Sequence, residues 1–388
     1  MGKNNILTDL GSIDVGGKQL RRGYTTGTCA AGAAAAAAYM ALHRELVPQV
    51  QVQLPGLPQG QLLQLPLAEA QLEVDGALAA ITKDGGDDPD ITHGLNIVAQ
   101  VRLRPGSGQV QISGGQGVGR VTLAGLKIPV GEAAINPVPR AMIVQNVQAQ
   151  LPPGWDAQVL ISAPGGEELA RRTFNPRLGI VGGLSILGST GIVNPMSEEA
   201  LKESLRLELH VLAARGYQAA IFAFGNYGLH FLRSQCIDET QVVKISNYLG
   251  FMLDEARQLG FRRLLLIGHL GKLVKVSAGI FNTHSRVADG RLETLTAYAA
   301  LAGAEQPLLA QLYQCTTTSA ASALLEQAGG GLAEQVYQQV AERAASRAAL
   351  YGYGELEIAA ILFGDDNRLL YKQPQADQFL KELKHNDE

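Results

Sequence analysis

RLLLIGHLGK, Arg263 to Lys272, joins a run of branched aliphatic residues to a glycine, a histidine and a lysine, and its reading decides the fold. A short apolar run ending at glycine reads as a fully buried strand, and the polar turn after it as a loop at that strand's carboxyl end. Working outward, the same alternation returns. Strand candidates Leu178 to Leu184, Ala219 to Phe224, Arg263 to Gly268 and Leu356 to Phe363 are separated by helical stretches. One stretch opens after Pro195 with Ser197, Glu198 and Glu199, a capping residue and two acids suited to a helix N-terminus, and runs to near Gly216. Strands alternating with helices imply a mainly parallel sheet flanked by helices, an α/β domain. The loops GNYG and GHLGK then fall on its carboxyl edge, where open α/β sheets take ligands.

The upstream half has another pattern. After a flexible start, RRGYTTGTCAAGAAAAAAYMALHREL predicts a helix from about Gly27 to Glu45, with Thr25, Thr26 and Thr28 as caps and its N-terminal end as an anion site. The poly-alanine run itself suits close packing against a sheet. Short alternating runs between Val50 and Ile112 predict a sheet region, Ala133 to Leu151 a helix opened by prolines, and AQVLISAP a last strand ending near Pro164. The expectation is an α+β domain over residues 1–168 and an α/β domain over 169–388 that carries the Gly-rich and GHLGK motifs.

Composition excludes several classes. The 388 residues are 46% hydrophobic, as in a globular protein with sizeable cores, and the 45 glycines cluster at turns between apolar runs. Aromatics at 5% provide no stacking platform for single-stranded nucleic acid, and a net charge of -4 with a pI near 6.0 argues against a nucleic-acid partner. Anionic ligands must therefore meet local basic residues. Cys29, Cys236 and Cys315 are widely spaced and odd in number, which fits neither a disulfide framework nor a thiolate zinc site. The first residues lack the apolar core of a signal peptide and no apolar run reaches membrane-spanning length, so a cytoplasmic location is expected. The sequence leaves a homo-oligomer open.

Three stretches bring chemistry. RRTFNPRLGIVGGLSILGSTGIVNP, Arg171 to Pro195, puts glycines where backbone must turn tightly or approach a ligand. KDGGDDPDITHG, Lys83 to Gly94, gathers Asp84, Asp87, Asp88 and Asp90 with Lys83 and His93, a set that holds a divalent ion, a carboxyl of raised pKa, or simply a solvated turn. GHLGKLVKVSAGIFNTHSRVADGR, Gly268 to Arg291, places Lys272 and Lys275 one helical turn apart on a face suited to an anion. No phosphate-binding loop, dinucleotide fingerprint, nucleophile elbow or kinase signature is present. Residue chemistry alone stops at an anion-binding enzyme of two domains.

The strings GYTTGTCAAGAAAAA, KDGGDDPDITHG, GGQGVGRVT, AINPVPRAMI, NPRLGIVGGLSILGSTGIVNP, KISNYLGFMLDEA and IGHLGKLVKVSAGIFNTHSRVAD resemble, in order and along almost the whole chain, the motifs of the CbiD family, the cobalt-precorrin-5B C1-methyltransferases of anaerobic cobalamin synthesis. Ser189 stands where the family pattern has a second threonine. The resemblance implies a fold outside the usual tetrapyrrole methylase class, S-adenosyl-L-methionine as cofactor, and methylation of a cobalt-bearing corrinoid to give cobalt-precorrin-6A. Cobalt then arrives inside the substrate, with no metal on the protein. For the cofactor the loop chemistry selects Gly182, Gly183, Gly188, Ser189, Thr190 and Gly191. For the substrate's carboxylates it selects Arg140, Arg172, Arg177, Lys272, Lys275 and Arg286, with Thr25, Thr26, Thr28, Lys83 and Asn175 as further donors. Candidates for moving the proton are His284 first, then His93, Asp87 and His269. Two rivals remain: a small-molecule kinase holding phosphate at TTGTCAAG, and a non-catalytic corrinoid carrier.

Overall fold

The alanine-rich segment forms helix α1, Thr26–His43, and every residue from Thr26 to Ala38 is buried. A helix enclosed on all sides needs no polar stripe, and alanine lets its neighbours close in. One flank packs on a five-stranded sheet: β1 (Glu69–Glu73), β2 (Gly76–Thr82), β3 (Asn96–Pro105), β4 (Val110–Gly114) and β5 (Trp155–Ser162), in the order β4-β5-β3-β2-β1. All neighbours are antiparallel except β4 with β5. In β3 the pleat sends Ile97, Ala99 and Val101 into the core. The other flank meets α2, Pro137–Gln148, whose prolines sit in its first turn where no amide donor is missed. Cys29 lies inside this core with no exposed surface, and burial raises its thiol pKa to about 12.

The computed structural model describes residues 5–385, and the chain divides into two units, Met1–Glu199 and Ala200–Glu388. Three expectations are corrected. The flexible start is paired from Asn5 onward: Asn5–Leu7 runs parallel to Gln61–Pro66, and Ser12–Val15 with Lys18–Arg21 forms a hairpin, while residues 1–4 lie outside the described residues. The unit boundary lies at Glu199 instead of 168, because the Gly-rich segment joins the first unit, with Ile192–Val193 pairing with Gly23–Tyr24. Leu178 to Leu184 is accordingly no strand of the second sheet. Only Ile180–Val181 is extended there, and Gly179 and Gly182, at φ +65° and +82°, break the run on both sides.

The second unit holds β6 (Ala219–Ala223), β7 (Val242–Lys244), β8 (Arg263–His269), β9 (Glu357–Phe363) and β10 (Leu369–Lys372) in the order β7-β6-β8-β9-β10. The first four are parallel and β10 is antiparallel. Helices α3 (Glu198–Ala214), α5 (Leu249–Gln258), α6 (Leu270–Ser277), α7 (Arg291–Leu301), α8 (Gln306–Gln314), α9 (Thr318–Ala328) and α10 (Leu332–Tyr351) cover one face; α4 (Gly225–Ser234) and α11 (Pro374–His385) cover the other. Leu264 and Leu266 face the first layer while Leu265 and Ile267 face the second, which explains why this strand reads as an unbroken apolar run. The helices after β6 and β8 leave to opposite faces, so the order of strands reverses between these two. That switch point is where open sheets form ligand crevices.

Candidate functional site

In the first unit the threonine turn, the aspartate loop and the Gly-rich segment are brought together. Gly23–Tyr24 is flanked by Ile192–Val193 on one side, while the Tyr24 amide donates to the Asp84 carbonyl at 2.9 Å on the other. Thr28 Oγ1 donates to the Gly191 carbonyl at 2.7 Å, the Leu187 amide donates to Thr26 Oγ1 at 2.9 Å, and Thr25 Oγ1 accepts from the Thr28 amide at 3.2 Å. The Gly27 amide donates to the Leu187 carbonyl at 3.0 Å. The expected anion site at the start of α1 is therefore closed: its hydroxyls and the Gly27 and Thr28 amides are engaged by the protein itself. Gly188 is needed for this closure, since φ of +131° suits glycine and a Cβ there would collide with Thr25.

The Gly-rich segment is committed in the same way. Gly183, Leu184, Ser185, Ile186 and Gly191 are buried, and Asn175, expected at a substrate, is buried too, giving its amide to the Gly183 carbonyl at 3.0 Å and accepting from Ser185 Oγ at 3.2 Å. Between Gly182 and Gly191, Gly182 and the tip Leu187–Thr190 stay accessible. Arg172 is exposed and Arg177 half-buried, while Arg140 caps the Ile135 carbonyl through Nε at 3.0 Å and pairs with Glu132 at 3.1 Å.

The aspartate loop is neutralised from within. Arg21 makes two bonds to Asp84, at 2.6 and 2.9 Å, and holds its carboxyl below the usual range. Lys83, only 2% exposed, reaches Asp90 at 2.7 Å. Burial resists ionisation of Asp90, yet Lys83 and the Thr92 donors outweigh it and keep its pKa low. Asp87 accepts from the Arg21 amide at 2.7 Å and Asp88 from the Met196 amide at 2.8 Å. The depressed pKa values of Asp84 and Asp90 run opposite to the raised-pKa alternative. Among the described residues no group of three His, Cys, Asp or Glu is placed to hold a metal ion.

In the second unit the loops after β6, β7, β8 and β9 meet at the carboxyl edge of the sheet. Lys272 Nζ donates to Asn247 Oδ1 at 2.5 Å, and Lys275, 3% exposed, donates to the Thr283 and Ala288 carbonyls at 3.3 and 2.8 Å. Burial lowers both lysine pKa values; Lys275 also lowers that of Lys272, whereas Asp289 opposes the shift at Lys275. The two lysines do share a face, as expected, but Lys275 anchors the Asn282–Asp289 loop instead of facing a ligand. Arg286 is exposed on that loop. A cavity of about 270 Å³ lies in this unit between His269, α9 and the Gly364–Arg368 turn. There Ser319 and His269 hold the Asp365 carboxyl below its ordinary pKa against the effect of burial.

The three candidate histidines share one feature. Nδ1 accepts a backbone amide in each: Gly85 to His93 at 3.1 Å, Gly271 to His269 at 3.1 Å and Arg286 to His284 at 3.2 Å. A neutral ring with Nδ1 as acceptor carries its proton on Nε2, so each offers a donor and not a basic lone pair. In His269 that donor meets Asp365 Oδ1 at 3.2 Å.

A family model described as CbiD matches residues 13–195, and one described as CbiD, C-terminal domain, matches 282–374. A curated relative from Thermoanaerobacter sp. (strain X514) is 47% identical over 88% of this chain and 92% of its own, and one from Tolumonas auensis is 49% identical over 91% and 93%. Both bear the name cobalt-precorrin-5B C(1)-methyltransferase. The chain belongs to the CbiD family. A solved structure of the cobalamin biosynthesis protein (cbiD) from Archaeoglobus fulgidus is 28% identical, covers 72% of this chain and 87% of that one, and has a TM-score of 0.38.

The first CbiD match ends just short of the unit boundary at Glu199, and the second contains α9 and the Gly364–Arg368 turn. Sequence reading of this CbiD chain missed Thr318, Ser319, Asp365, Asp366 and Arg368. The signal was present in FGDDNR, a glycine and two aspartates directly after an apolar strand, the same edge position that selected GNYG and GHLGK.

Proposed function

We propose that this chain transfers a methyl group from S-adenosylmethionine to C1 of cobalt-precorrin-5B, giving cobalt-precorrin-6A in anaerobic cobalamin synthesis. The observation that carries the reading is 47–49% identity with two curated methyltransferases of that name over roughly nine-tenths of the chain. When bound, the sulfonium cofactor supplies a methyl group to an electron-rich ring carbon that displaces it in line. The protein's part is alignment and electrostatics, with no covalent nucleophile.

The corrinoid periphery is rich in carboxylates, which call for guanidinium and hydroxyl donors. Each unit by itself carries candidate donors: exposed Arg286 with half-buried Lys272 in the second, and exposed Arg172 with Ser189 and Thr190 at the open tip of the Gly-rich segment in the first. His93 and His284 serve as Nε2 donors. Of the four residues considered for the proton, Asp87 alone presents carboxylate lone pairs, and water takes the proton otherwise. The kinase alternative loses its footing because the Gly27 and Thr28 amides at the start of α1 are buried and bonded.

The test is incubation of the purified chain with cobalt-precorrin-5B and a methyl-labelled donor. Expected is release of S-adenosylhomocysteine in step with label at C1, read by mass spectrometry and NMR. ATP consumption without methylation would establish the kinase reading instead, and corrinoid binding with no affinity for the methyl donor would establish a carrier.

A further inference from the structure

We infer that the cavity between His269, α9 and the Gly364–Arg368 turn receives the amino-acid end of the methyl donor, with Asp365 and Asp366 facing its ammonium and Arg368 its carboxylate. The inference rests on the methyl-transfer reading and assigns one site within it.

Position comes first. His269 ends β8, one of the two strands at the switch point, and the Gly364–Arg368 turn follows β9 beside it. The volume of about 270 Å³ is slightly below the roughly 300 Å³ at which whole-ligand pockets begin, so it suits one end of a nucleoside-sized cofactor and leaves the rest outside.

The lining selects a zwitterion. Asp365 and Asp366 stand on one turn with Arg368, and the opposite wall is α9 from Thr318 to Glu326, an 11-residue helix whose N-terminal end favours negative charge and whose Glu326 adds a third carboxylate, paired with Arg368. A ligand carrying only carboxylates, such as the corrinoid periphery, is repelled by the two aspartates and by Glu326. An apolar ligand would strip water from them without return. An α-amino acid meets both signs. Arg368 pairs with Glu326 through one terminal amino group and also meets the Tyr337 hydroxyl, and of the five donors of a guanidinium the rest are left for a carboxylate.

The wall is also fixed in place. Asp365 is held by Ser319 and by His269 Nε2, and His269 in turn by the Gly271 amide at 3.1 Å. Asp366 sits at φ +54°, a left-handed conformation that aspartate and asparagine tolerate better than most residues. Aspartate therefore fits both the turn and the charge.

The experiment is calorimetric titration of the full chain with S-adenosylhomocysteine and, separately, with methylthioadenosine, which lacks the amino-acid end. Asp366→Asn keeps the backbone conformation, and Ala323→Phe fills the cavity from an exposed position on α9. Expected is at least tenfold weaker S-adenosylhomocysteine binding in both variants, with methylthioadenosine affinity unchanged within twofold in Asp366→Asn. If the wild type binds S-adenosylhomocysteine and both variants match it within twofold, the assignment fails while methyl transfer stands. Equal loss of both ligands in Asp366→Asn would put adenosine in the cavity and overturn the assignment too. A wild type that binds neither nucleoside and methylates nothing removes the parent reading.

Discussion

The start of α1 and the start of α6 look alike in sequence, each a glycine-bearing polar turn leading into a helix, yet the fold uses them in opposite ways. At α1 the turn is closed: Thr25, Thr26 and Thr28 are buried and bonded to the Gly-rich segment. At α6 the turn is open: His269 caps the helix, remains 24% exposed and borders a cavity. The difference teaches that motif density marks a place where backbone needs are strict, and only burial says whether those needs are internal or those of a ligand.

Variants can break this contrast, and the largest effect is expected at the closure itself. Gly188→Ala forces a Cβ into Thr25 at positive φ and should cost about 3 kcal/mol or more in chemical denaturation. Lys83→Met should follow at about 2–3 kcal/mol, because Asp90 loses its buried partner. Asp90 has a folded-state pKa below its unfolded value, so its contribution is present above the ordinary carboxylate pKa and is lost as pH falls through the folded value. The wild type and Lys83→Met should therefore differ fully at neutral pH and converge in acid, below about pH 4. Parallel curves throughout would mean the pair contributes nothing specific.

Thr28→Val keeps the shape but removes the bond to the Gly191 carbonyl, and about 1–2 kcal/mol of stability should go with it. His269→Ala should be the mildest, about 1 kcal/mol or less for a lost cap. The contrast sharpens if His269→Ala, nearly neutral in stability, weakens S-adenosylhomocysteine binding while Thr28→Val, more destabilised, does not.

The sheet of the second unit was largely legible. Ala219–Ala223, Arg263–His269 and Glu357–Phe363 match expected strands within a residue, because strands buried on both faces leave unbroken apolar runs. Val242–Lys244 escaped notice, being too short to show a period, and Leu178 to Leu184 misled because an apolar run between glycines reads as a strand even when it packs as irregular backbone. Of the candidate site, His269 was found and its neighbours were not. Asp365 lies 96 residues away in the chain, and only the parallel pairing of β8 with β9 carries it to His269.

Cys29 gives the closed unit a chemical clock. Its thiol is fully buried on α1 with a pKa near 12, whereas Cys236 is exposed and Cys315 partly so, both in the other unit. A thiol-directed reagent at neutral pH reaches Cys29 only when α1 is released, so the rate of that single modification times the opening of the first unit without any engineered label.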